Sequence, residues 1–475
     1  MQPTSASFNR NARAALADHA LQSALADLQA GFVARRAAVS SRLPEFEALR
    51  DEGRDIRDHA LANLDIYLEI YEERARAAGA RVHWAATAED ARRIVLDICR
   101  AAGARLVTKG KSMISEEIAL NAHLEAAGLE VVETDLGEYL LQIRRDSPSH
   151  IIAPAIHLTM DQIEADFRRR HVHLARERKL ADPARLVDEA RQVLREKFMR
   201  ADVGITGANF LVAETGSAII VTNEGNGDLT QSLARVHVVI ASIDKVLPTL
   251  EDAATLLRLL ARSATGQEFT AYTTISTGPR RPGDPDGPDA CHVVLLDNGR
   301  SELLGTPFRE VMRCIRCGAC MNHCPVYSAI GGQAYGWVYP GPIGAVLTPL
   351  LLGIDRAGHL PNASTFCGRC ESVCPVKIPL TKLMRHHRET EFEEGRQRLR
   401  QRLALKAWAL LARRPGLYHL SARFLTVLLS VLGRRRGSFR WLPFAGGWTR
   451  HRDFPAPQGR TFEQLWAERQ RGVPR

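Results

Sequence analysis

Two runs of cysteine constrain this chain more than any other feature of its 475 residues. The first, Cys314-Ile315-Arg316-Cys317-Gly318-Ala319-Cys320-Met321-Asn322-His323-Cys324-Pro325, has the spacing C-x2-C-x2-C-x3-C-P. Three thiolates at a three-residue period can wrap one corner of an iron–sulfur cube. The fourth, placed before proline, serves the other cluster where two clusters are interleaved. The partner run is Cys367-Gly368-Arg369-Cys370-Glu371-Ser372-Val373-Cys374-Pro375. Spacing therefore predicts two 4Fe-4S clusters with crossed ligation. Cys314, Cys317, Cys320 and Cys374 would hold the first; Cys324, Cys367 and Cys370 would hold the second. The second site is one cysteine short. Either a water, a carboxylate or an imidazole completes it, or it holds a 3Fe-4S cluster. A zinc site is the bland alternative, but four-cysteine zinc sites use paired hooks, which a triplet closed by Cys-Pro matches poorly.

The remaining cysteines, Cys99 and Cys291, have no second cysteine nearby and read as small buried hydrophobes. Cysteine concentrated in metal runs suits a reducing compartment. With no secretory signal in the first twenty residues, the expected location is cytoplasmic. The longest apolar run in the tail, Phe424 to Leu432, is too short to span a bilayer, so no transmembrane helix is expected. Net charge is +10 but uneven: from Val376 onward there are 22 Lys+Arg against 7 Asp+Glu. That basic tail fits an acidic partner protein, a solvated face, or an anionic membrane surface touched from the periphery. Its aromatics (Phe439, Trp441, Phe444, Trp448, Phe454, Phe462, Trp466) are separated by Pro and Gly without a regular pattern. Base stacking is thus disfavoured, and nucleic acid with it.

Periodicity divides the rest. Residues 1–80 carry apolar positions at helical spacing and read as supporting helices. Over 81–300, short apolar runs alternate with amphipathic segments, which implies an α/β domain with a parallel or mixed sheet. Its strands include Val82-His83-Trp84, Leu106-Val107-Thr108, Glu130-Val131-Val132 and Ile151-Ile152. Val203 to Thr206, Asn209 to Ala213 and Ser217 to Thr222 read as one meander. Asp182-Pro183 opens the second of two charged helices between 160 and 200. The cluster module, 301–390, is predominantly helical. Its Gly331 to Gly344 stretch holds too many Gly and Pro for a helix and reads as a loop shielding the sulfurs. Residues 391–475 form the basic helical tail.

Thr108-Lys109-Gly110-Lys111-Ser112 lies between a strand and a helix, a setting that offers backbone N–H groups to an anion. A phosphate loop would need glycine where Arg105 stands, so that pattern fails. Lys109, Lys111 and Ser112 are candidate anion- or substrate-binding residues, with Glu214 and Thr215 in a neighbouring turn. The histidines His171, His173, His386 and His387 lie in charged helical segments and read as surface residues. No side chain reads as a catalytic base, so none is given a catalytic role.

On Cys314 to Pro325, Ala334 to Gly344 and Cys367 to Lys377, with Lys109-Gly110-Lys111-Ser112 and Glu214-Thr215-Gly216, the chain resembles the lactate-utilisation protein B family. The resemblance implies an iron–sulfur subunit of a three-protein L-lactate oxidation system, with sister subunits as partners. It implies that the α/β domain is similar to the sugar-phosphate isomerase and CoA-transferase group. It implies the same seven cysteine ligands. The chemistry on lactate would sit on a partner or be shared with the α/β domain. Two other readings remain: an electron-transfer subunit for glycolate or a heterodisulfide, and a nucleic-acid-binding protein with a structural cluster.

Overall fold

The computed structural model describes residues 3–471 except 176, 398, 444, 450 and 451. Phe444, one of the tail aromatics, therefore lies outside the described residues. The chain forms two compact units, Met1–Thr390 and Glu391–Arg475.

The first unit opens with helices α1 (Phe8–Ala17), α2 (His19–Leu28), α3 (Ala34–Ser41), α4 (Phe46–Ala62) and α5 (Leu64–Ala77). Strands and helices then alternate: β1 (Arg81–Ala85), α6 (Ala88–Ala101), β2 (Leu106–Lys109), α7 (Met113–Glu117), α8 (Leu120–Ala126), β3 (Glu130–Glu133), α9 (Leu136–Arg144), α10 (Met160–Arg170), α11 (Pro183–Arg200) and β4 (Val203–Gly207). Next come β5 (Phe210–Val212), β6 (Ser217–Thr222), α12 (Asn226–Ser232), β7 (Val236–Ser242), β8 (Val246–Leu247), α13 (Leu250–Ala264), β9 (Tyr272–Ser276) and β10 (Ala290–Leu296). Helix starts follow capping chemistry: Thr87 and Thr249 make capping boxes with Asp90 and Asp252, and Asp182 caps α11 with Pro183 in its first turn.

Two sheets result. Six strands in the order β1-β10-β7-β4-β2-β3 all run parallel. A second sheet has the order β8-β5-β6-β9. The expected meander is thus split. β5 and β6 pair antiparallel as a hairpin, but β4 leaves them to lie between β7 and β2. Val203, Gly204, Ile205 and Thr206 are all buried; a strand covered on both faces belongs inside a parallel sheet. Ile151-Ile152 is not a strand either. The backbone N–H groups of Ile152 and Ala153 both donate to His150 Nδ1 (3.0 and 3.1 Å), so they are withdrawn from any ladder.

The cysteine-bearing part lies in the same unit: α14 (Arg300–Leu303), α15 (Ala319–Asn322), α16 (Pro325–Ile330), α17 (Gly341–Leu352), α18 (Ile354–Ala357), α19 (Arg369–Ser372) and α20 (Leu380–Glu393). The Gly- and Pro-rich stretch is not all loop, because Gln333–Tyr335 forms a 3-10 turn and its end is the start of α17. Pro342 falls in the first turn of that helix, where its missing N–H costs nothing. Two histidines expected at the surface are buried. His171 joins Tyr139 and Glu189 (2.7 Å each), and His387 joins the Val346 carbonyl (2.9 Å).

The second unit contains α21 (Leu399–Ala412) and α22 (Pro415–Gly433). The run expected to be too short for a membrane is embedded in α22, whose 19 residues are long and apolar enough, by length and composition, to cross one.

Candidate metal centre

Each cysteine run folds the same way. After its second or first cysteine, a glycine at φ 74° (Gly318, Gly368) turns the chain into a four-residue helix, α15 or α19. That left-handed conformation is open to glycine without a Cβ penalty. Cys314, Cys317 and Cys320 from the first run and Cys374 from the second line one small cavity, closed by Ile151 and Ile343. The Arg316 N–H points at Cys314 Sγ and the Ile378 N–H at Cys374 Sγ, both at 3.4 Å. Burial, then the neighbouring sulfurs, push the Cys317 and Cys320 thiols far above their ordinary range. Burial lifts Cys374 to about 11. None of these cysteines is in a disulfide. Thiols that resist ionisation alone, converging on one cavity with N–H donors at hand, suit a metal that takes their protons' place. The donor set fits an iron–sulfur cluster.

The second set is Cys324, Cys367 and Cys370, which act on one another electrostatically. Burial pushes Cys370 up to about 12. Cys367 differs: it is exposed, and the Arg369 N–H and the Thr365 hydroxyl hold its thiol below the usual range. This set therefore reaches the protein surface through Cys367, whereas the first, with Cys317 and Cys374 buried and Cys314 and Cys320 partly so, lies further in. Cys99 and Cys291 are buried elsewhere, in the α/β core.

The other sequence candidates separate. Lys111 and Ser112 line a cavity of about 260 Å³, with Asn209, Lys245, Arg316 and Tyr339. Lys109 does not; its ammonium is fully buried between Glu133 (2.8 Å) and Glu116 (3.2 Å). Glu214 and Thr215 are spent on the β5–β6 turn. Glu214 Oε2 accepts from the Leu250 N–H (3.1 Å) at the start of α13, and Thr215 Oγ1 bonds Ser217 Oγ (2.7 Å). Neither lines that cavity, so the five residues do not form one anion site.

Comparison with known proteins places each part of the chain. Residues 68–296 match the LUD domain, 310–378 the 4Fe-4S dicluster domain, and 382–471 the C-terminal domain of lactate utilisation protein B. A lactate utilization protein B of Geobacillus sp. (strain WCH70) is 43% identical over 99% of this chain and 99% of its own length. That of Bacillus velezensis is 41% identical over 99% of this chain and 98% of its own. The chain belongs to the lactate utilization protein B family. A crystal structure of a DUF162 family protein from Deinococcus radiodurans covers 49% of the chain at 15% identity, with a TM-score of 0.28, and decides nothing.

In this chain the N-terminal helices do more than support. Arg36 donates to the Val373 carbonyl (2.9 Å), and Arg50 to the Cys374 carbonyl (2.8 and 3.1 Å). Arg57, 1% exposed, donates to the carbonyls of Met312 (2.9 Å), Arg313 and Val246 (3.3 Å each), and Asp244. Three guanidiniums thus grip the backbone beside both cysteine runs. Reading the sequence missed them, because arginines in an amphipathic helix look like its solvated face; only their recurrence on α3 and α4, next to apolar positions, hinted otherwise. A second buried link joins the α/β and cysteine-bearing parts. Arg300 pairs with Glu117 through both oxygens (3.0 and 2.7 Å), and Tyr339 and Asn298 also donate to that carboxylate (2.6 and 2.7 Å). Burial favours protonating Glu117, but Arg300 outweighs it and holds the carboxyl below its usual range.

Proposed function

We propose that this protein is the electron-transfer subunit of an L-lactate oxidation system, with sister lactate-utilisation subunits as partners. In this reading Cys314, Cys317, Cys320 and Cys374 hold one 4Fe-4S cluster, and Cys324, Cys367 and Cys370 hold the other. Clusters bound there supply one-electron transfer. The observation that carries the reading is the convergence of thiols from two distant segments on one cavity. The surrounding residues do the rest. Ile151 and Ile343 exclude water from the interior set, and the N–H donors favour anionic sulfur, both of which tune a potential. Exposure of Cys367 gives the second set a surface at which an electron partner can approach. The substrate rests on the names of the relatives. Low-temperature EPR of anaerobically purified protein is the test. Partial reduction is expected to give signals from two clusters, with the type of the second read from the as-isolated spectrum. A sample holding zinc and no acid-labile sulfide would end the proposal.

The tail supports a membrane-peripheral position. Helix α22 leaves Phe424, Leu425, Val427, Leu428, Val431 and Leu432 exposed. Arg413 and Arg414 precede it and Arg434, Arg435 and Arg436 follow it. An apolar helix with arginines at its ends suits an anionic lipid interface. The protein is expected to co-sediment with phosphatidylserine-containing vesicles and less so with neutral ones. Replacing Arg434, Arg435 and Arg436 by glutamine should weaken binding by about a hundredfold, at about 1 kcal/mol per basic residue. Equal binding to both vesicle types would count against the charge argument.

A further inference from the structure

The parallel sheet and the first cysteine run enclose a cavity that the electron-transfer reading does not use. Parallel sheets bind ligands outside the carboxyl ends of their strands. Here three adjacent strands, β7, β4 and β2, each deliver residues to one place: Lys245 after β7, Asn209 after β4, and Lys111 with Ser112 after β2. The cysteine run closes the cavity with Ile315 and Arg316. Arg316 also lines the thiol cavity, so it forms the wall between the two.

Cations outnumber carboxylates around this wall. Arg57, Lys245, Arg300 and Arg316 interact electrostatically with Asp244, and Glu117 is paired with Arg300. Four cations thus face two carboxylates, with the Cys314 sulfur beside Arg57, Lys245 and Arg316. Glu117 is consumed by Arg300, and Asp244 is shared between Arg300 (3.2 Å) and Lys245 (3.8 Å). Arg316 Nη1 is sealed from solvent and has no hydrogen-bond partner, while its guanidinium lies 4.7 Å from the Tyr339 ring centre. A buried donor left unpaired is costly, and Arg316 is further held at φ 60°, a conformation that non-glycine residues adopt rarely. Lys245 and Lys111 each hydrogen-bond a backbone carbonyl, those of Cys314 (3.2 Å) and Ile152. The lining also holds two carboxylates. Asp135 is spent as the N-cap of α9, and burial shifts Glu224 toward its neutral form.

We propose that this cavity binds a small organic carboxylate between Lys111, Lys245 and Arg316. The planar guanidinium offers a carboxylate paired N–H donors. Ile152, Ile220 and Leu260 offer a short apolar body a place to lie. At about 260 Å³ the space is smaller than that of typical drug-sized pockets. A phosphate is a poorer match, since the Gly110-Lys111-Ser112 turn lacks the glycine-rich cradle, with Arg105 standing in its place. The proposal deepens the electron-transfer reading by putting a ligand beside the first thiol set, but it stands on the protein cavity itself.

The test is calorimetric titration of the full-length, anaerobically purified protein with sodium L-lactate, pyruvate and inorganic phosphate. EPR of the same samples is recorded with and without ligand. Saturable binding of lactate or pyruvate, with phosphate weaker, is expected. Lys111→Met should weaken that binding by about ten- to a hundredfold, the loss of one charge-assisted hydrogen bond, with an unchanged circular dichroism spectrum and melting temperature. Lys245→Gln is the second variant and should weaken binding likewise, with a lowered melting temperature because its buried contact to Asp244 is lost. The ligand is also expected to shift the EPR signal of the nearer cluster. No saturable carboxylate binding, phosphate binding as tight as carboxylate, or full affinity retained in both variants would overturn the proposal. Missing clusters with intact carboxylate binding would instead remove the electron-transfer reading and leave this one standing.

Discussion

Cys374→Ser is expected to strip iron from the interior site and leave the surface site loaded. Iron and acid-labile sulfide per chain should fall by about half, since crossed runs give each cluster its own ligand set. Cys374 is distant in sequence from Cys314, Cys317 and Cys320 yet shares their cavity. Cys324→Ser should do the reverse, because Cys324 acts on Cys367 and Cys370 rather than on its own neighbours in the run. Metal analysis with EPR of both variants distinguishes the sites. If Cys374→Ser emptied the surface site and spared the interior one, ligation would not be crossed.

The second large effect concerns stability. Glu117→Leu leaves the Arg300 guanidinium, 0% exposed, without its bidentate partner. Removing one partner from a buried ion pair costs about 3–5 kcal/mol; Asp244 stays 3.2 Å from Arg300 and puts the loss toward the lower end, while Tyr339 and Asn298 lose an acceptor. The denaturant midpoint of Glu117→Leu should drop accordingly, and a loss below about 1 kcal/mol would show that water replaces the carboxylate. The pH dependence has a fixed sign. Glu117 titrates lower in the folded protein than in the unfolded chain. Its contribution is therefore complete above the unfolded carboxyl range, about 4.3, and is lost as pH falls toward the folded value. In Glu117→Leu that part of the acid-induced loss should vanish.

The β4 strand shows where sequence reasoning stops. Its residues read correctly as a strand, but strand pairing is decided by what covers each face, and the alternation of Val203 to Thr206 carries no record of its neighbours. Ile151-Ile152 failed for a related reason: β-branched residues raise strand propensity, yet His150 Nδ1 took the N–H groups of Ile152 and Ala153. His171 and His387 sit among charged residues in the sequence, and only packing buries them.

By itself the sequence determined the cysteine-bearing part, the alternating α/β part and the basic tail, because metal-ligand spacing, periodicity and charge are local properties. It also raised the expectation that the two runs cross, in keeping with Cys374 sharing a cavity with Cys314, Cys317 and Cys320. Tertiary structure alone decided that Arg36, Arg50 and Arg57 grip the cysteine runs. It alone separated Lys109 from Lys111, and joined Lys111, Lys245 and Arg316 around one cavity. Those residues are far apart in the chain and become neighbours only when the sheet and the cysteine loops pack together; an isolated arginine or lysine in a sequence does not reveal whether its charge will face water or a sealed wall.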